Sequence, residues 1–71
     1  MKSVKCINSN KSVSFFDNGN TVLVFAQQDG EYWFTIGKGY KTLNGAKRSA
    51  VKEMAKMGYT IEPKALESLT F

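Results

Sequence analysis

The sequence predicts an α+β fold: a four-stranded antiparallel meander sheet packed on one amphipathic basic helix, followed by a short C-terminal segment. Three observations predict it. Four short runs rich in β-branched and aromatic residues are separated by turn-forming Asn, Asp and Gly. From Leu43 the spacing of apolar residues changes from the alternation of a strand to the period of a helix. The 71 residues suffice for a single domain, 1–71, that buries only about 60% of the surface its unfolded chain exposes. A thin core between one sheet and one helix suits that length, and at 42% hydrophobic residues the chain is too apolar to remain disordered.

Residues 1–7 alternate as a first strand, and Asn8, Ser9, Asn10 and Lys11 make a polar turn. The second strand covers 12–16, with Lys11 as an alternative start. Asn18-Gly19 then reads as a two-residue hairpin loop, a geometry that needs positive φ at both positions. The third strand, 21–28, ends on Asp29-Gly30, which repeats that chemistry, and the fourth covers 31–36. Two such loops put Phe15 opposite Val22, Val13 opposite Val24, Ala26 opposite Trp33 and Val24 opposite Thr35. The inner face then reads Val4, Cys6, Val13, Phe15, Val22, Val24, Ala26, Trp33 and Thr35. The outer face mixes Phe16, Leu23, Phe25, Tyr32, Phe34 and Ile36 with Ser3, Ser12, Ser14, Gln27 and Lys5. It is too polar for a core and too aromatic for an ordinary surface. Either the tail or a second copy covers it, or it is a binding platform.

Gly37, Lys38, Gly39, Tyr40 and Lys41 connect the sheet to a helix over 43–57, capped by Thr42 or Asn44. Leu43, Ala46, Ala50, Met54 and Met57 form its apolar stripe, with Val51 at the margin. Arg48, Lys52 and Lys56 recur every four residues on the reverse side as a basic ridge. Gly58 stands where a left-handed C-terminal cap belongs. Extended residues 59–62 precede Pro63 and a short helix over 64–69, whose Leu66 and Leu69, with Phe71, have no assigned partner.

The net charge of +4 is concentrated: Lys38, Lys41, Lys47, Arg48, Lys52 and Lys56 stand against Glu53 alone, a local +5 that leaves −1 for the rest. Such asymmetry suits a polyanion, although a solvated helix face would look the same. Histidine is absent, the acids are scattered and a lone Cys6 on the inner face can build neither a disulfide nor a metal centre. The residues therefore point away from an enzyme and from any cofactor. Lacking disulfides and any apolar run of membrane-spanning length, the chain reads as a cytoplasmic protein that does not enter a membrane. Gly37-Lys38-Gly39 lacks the length and the Lys-Ser/Thr ending of a phosphate-binding loop and reads as a flexible turn.

From Gly30 through the aromatic strand to Gly39-Tyr40-Lys41-Thr42 and the early Ala46 of the helix, the sequence resembles the arm-type DNA-binding domain of tyrosine-recombinase integrases. That resemblance implies a sheet packed on a C-terminal helix and inserted into the DNA major groove. The composition is similar to that of small accessory proteins of phages and mobile elements. The leading expectation is thus a small non-enzymatic nucleic-acid-binding protein, DNA ahead of RNA. Lys38, Lys41, Lys47, Arg48, Lys52 and Lys56 supply its phosphate contacts, and Lys5, Tyr32 and Phe34 are its readers on the sheet. The alternative is a protein-protein interaction module or small inhibitor of a host protein, possible as a homodimer, that uses the aromatic face.

Overall fold

A computed structural model describes residues 2–71; the expected strand start at Met1 lies outside them. Strands β1 (Lys2–Lys5), β2 (Lys11–Asp17), β3 (Val22–Gln28) and β4 (Glu31–Tyr40) form one antiparallel sheet in the order β1-β2-β3-β4. Helix α1 (Leu43–Lys56) packs on β3 and β4, and the short α2 (Pro63–Ser68) lies against β1. The α+β architecture is the expected one, with the core between the sheet's inner face and α1.

The two later hairpins differ in how their turns set register. At β2–β3, Asp17 pairs with Val22, so four residues rather than two make the loop. Asn18 does not adopt the positive φ that a two-residue loop requires; only Gly19 does, at 96°. Instead the Asn18 side chain accepts from the backbone N–H groups of Asn20 (3.0 Å) and Thr21 (2.9 Å), and this Asx-type closure holds the wider loop. Phe15 therefore pairs with Val24 and Val13 with Ala26, two residues from the expected register. A shift of two preserves faces, and Val4, Cys6, Val13, Phe15, Val22, Val24 and Ala26 are all buried as expected.

At β3–β4, Asp29 (φ 54°) and Gly30 (φ 79°) make the expected two-residue turn, and Gln28 pairs with Glu31. A bulge follows: Gln27 pairs with Tyr32 but Ala26 with Phe34, so Trp33 is the extra residue. This one-residue slip corrects the expected faces of β4. Thr35 turns outward, Ile36 is buried, and Phe34 packs against the core instead of joining the outer face. The bulge lets both Trp33 and Phe34 reach the core. Their rings meet edge to face at 4.8 Å, and Trp33 also meets Tyr59 at 6.2 Å. A second irregularity at Gly37–Gly39 carries the strand on to Tyr40, so the expected connection is mostly strand. At Gly37, with φ at 66°, a Cβ would collide with the Tyr40 ring.

Thr42 is the N-cap of α1: its hydroxyl accepts from Gly45 N–H at 3.1 Å. Gly58 ends the helix with a Schellman pair, Gly58 N–H to Ala55 O and Tyr59 N–H to Met54 O, both at 3.0 Å. Ala46, Ala50 and Met54 are buried; Met57, expected in the stripe, is exposed. The small alanines let the helix lie close to β3 and β4. The tail then turns back to the β1 edge. Cys6 and Ile61 form a bridge, Ile7 N–H donates to Thr60 O at 2.8 Å, and Glu62 N–H donates to Lys5 O at 3.0 Å. Ile61, Leu66 and Leu69 complete the inner core, which leaves the outer face uncovered by the tail, while Phe71 is exposed.

Candidate binding surfaces

Two surfaces carry the side chains singled out in the sequence, and the sheet separates them. On α1, Arg48, Lys52 and Lys56 are exposed and share a face, one helical step of four residues, about 6 Å, apart. The one ion pair among the described residues is Lys56 Nζ to Glu53 Oε2 at 3.1 Å. Both partners are well exposed, so water screens the pair and the ridge stays strongly positive. Lys38 at the end of β4 and Lys41 ahead of the cap are also exposed. Lys47 stands apart: it is half-buried and leans toward α2, where its Nζ donates to Glu67 O at 3.5 Å.

The outer sheet face divides in two. Toward the loop that joins β2 to β3 lie Phe16, Leu23 and Phe25, and Tyr32 on β4, 66% exposed, sets its ring edge to face with Phe25 at 6.3 Å. The Tyr32 hydroxyl bonds Thr35 Oγ1 at 2.9 Å. The other half is a chain of hydroxyls ending on an amide. Ser12 and Ser14 both donate to Gln27 Oε1, so Ser3 donates to Ser14, at 2.6 Å. Ser14 is fully buried within this chain although it faces away from the core. Beside it, Ser3, Lys5, Ser12 and Gln27 border a depression of about 570 Å³ that reaches Asn10 and Asp29. Of the expected readers, Lys5 and Tyr32 are exposed on this face; Phe34 is not, because the Trp33 bulge turns it inward.

Lys11 was not singled out by sequence, yet it is the most unusual cation in the chain. Only 9% exposed, it shares the inner side of β2 with Val13 and Phe15. Its Nζ sits 5.1 Å from the Trp33 ring centroid and 5.2 Å from that of Tyr59, and donates to Asn10 Oδ1 at 2.8 Å. Ring faces and an amide oxygen thus stand in for a carboxylate. The alternation Lys11, Val13, Phe15 was the available signal. Cys6 is buried nearby; burial pushes its thiol above the ordinary range, with Lys11 pulling weakly the other way.

Among the described residues no group of three or more metal-ligating side chains comes together, and no helix is long and apolar enough to cross a membrane. No protein-family model, curated protein or solved structure matches the chain.

Proposed function

We propose that the chain is a small non-enzymatic nucleic-acid-binding protein that contacts phosphates through the ridge of α1 and the cations leading into it. One observation carries the reading: Lys38, Lys41, Arg48, Lys52 and Lys56 are all exposed along one continuous segment, with Glu53 its one acid. A rigid helix that repeats a cation every turn suits the regularly spaced charge of a duplex, which favours DNA over a folded RNA loop. Lys47, tied across to α2, is a secondary contact. The ridge and the aromatic outer face lie on opposite sides of the sheet, so one duplex engages the ridge without Tyr32. A cytoplasmic setting, in which Cys6 stays a free thiol, and a role as an accessory protein of a phage or mobile element go with this reading.

The test is affinity for a duplex at two ionic strengths. Five phosphate contacts weaken binding about 500-fold between ~50 and ~200 mM salt, and Lys52→Glu with Lys56→Glu removes most of the affinity. Binding that ignores salt, or that survives the double substitution, sinks the reading. A second reading is favoured by the open outer face, since Leu66 and Leu69 pack inside and Tyr32 stays exposed. In that case the chain is a protein-interaction module, an inhibitor of a host protein or a homodimer, and Tyr32→Ala disrupts a complex that salt barely affects.

A further inference from the structure

Helix α1 has a second apolar stripe that the sheet does not use. Val51, 44% exposed, and Ala55, also exposed, lie beside the core positions Ala50 and Met54 and face the segment that leads into α2. Between them and Tyr59, Ile61, Pro63 and Leu66 runs an apolar groove of about 320 Å³. A second hollow of about 290 Å³ shares Lys47, Val51 and Leu66 with it and is bordered by Arg48 and Lys52. The α1 wall is therefore cationic, with Glu67 on the α2 side the one acid of the lining, against Lys47, Arg48 and Lys52. No carboxylate pairs with these three cations among the described residues; Lys47 reaches across the groove to the main-chain oxygen of Glu67 and not to its carboxylate.

We propose that this groove docks an acidic amphipathic segment of a protein partner. A large apolar side chain fills the hollow beside Val51 and Leu66, and carboxylates flanking it lie over Lys47, Arg48 and Lys52. The volume is at the low end for a small-molecule site and suits one or two side chains. Charge selects the occupant. The outer sheet face of a second copy would bring Lys5, and the one carboxylate bordering its depression, Asp29, already accepts from Asn10 Nδ2 at 3.2 Å. A nucleic acid would leave the apolar floor unused, because the groove's one aromatic ring, Tyr59, is already engaged by Trp33 and Lys11. The inference does not depend on nucleic-acid binding, but the two share Lys47, Arg48 and Lys52, so a docked segment and a duplex exclude each other.

The test is selection of peptides from a displayed random library on the intact protein, followed by measurement of their affinity for Val51→Glu. Position 51 is exposed, so that variant keeps the fold, which an unchanged amide spectrum away from α1 verifies. The expected peptides carry Asp or Glu beside a bulky apolar residue. They shift the amides of Val51, Ala55 and Leu66, and they bind Val51→Glu at least about 10-fold more weakly. Arg48→Glu with Lys52→Glu weakens them as well. The proposal is overturned by failure to enrich any peptide, by basic or neutral peptides, by shifts centred on Phe25 and Tyr32, or by full affinity for Val51→Glu. Self-association that Val51→Glu abolishes would give the groove to a second copy, and overturns it too.

Discussion

Toward α1 the sheet buries Val13, Phe15, Val24, Ala26 and Ile36; away from it the same strands present Phe25 and Tyr32 beside the Ser3, Ser14 and Gln27 chain. The two sides are held by different physics. Inside, apolar volume is matched against Ala46, Ala50 and Met54 with no direction required. Outside, Ser14 is as deeply buried as Phe15, but what keeps it there is a directed run of hydrogen bonds. The inner side should therefore respond to a change of volume, and the outer side to the loss of a partner.

The largest expected effect separates two neighbours. Phe15→Ala should cost about 3–5 kcal/mol in denaturant unfolding, because it empties a fully buried site. Phe16→Ala, one residue on and facing outward, should cost less than about 1 kcal/mol. Similar losses at both positions would mean that the outer face is covered. Ser14→Ala should cost about 1–2 kcal/mol despite removing a single atom, since Ser3 loses its acceptor and Gln27 a donor. A neutral result would show water replacing the chain. The smallest effect is in pH. The Cys6 thiol is raised by burial, so its contribution to stability is intact below the ordinary thiol range, ~8.5, and is lost as pH rises beyond it. Thermal midpoints of the wild type and Cys6→Ala should therefore converge above about pH 9. A constant gap would mean that the thiolate reaches water without cost.

How much of this was legible depended on parity. On β2 and β3 the inner residues followed from alternation alone, because the wider Asn18 loop moved the register by two and left the faces unchanged. On β4 the expectation failed at a single residue. Nothing local marks Trp33 as a bulge; what holds it is Tyr59 and Lys11, brought from distant parts of the chain. The partner of Leu66 and Leu69 was hidden for the same reason, since the Cys6–Ile61 bridge joins opposite ends of the sequence. The basic ridge was readable from its fourfold spacing. The groove beside it was not, because Val51 on its own looks like an imperfect core position until α2 supplies the other wall.

The sheet has two margins, and they are finished differently. Beside β1 the returning tail takes up the main-chain groups of Lys5 and Ile7, while β4 is broken by the extra Trp33 and again around Gly37–Gly39. A foreign strand thus finds no long straight ladder to extend, and interruptions of that kind guard against amyloid-like stacking. A chain with this many aromatic residues should accordingly stay dispersed at high concentration for as long as it stays folded.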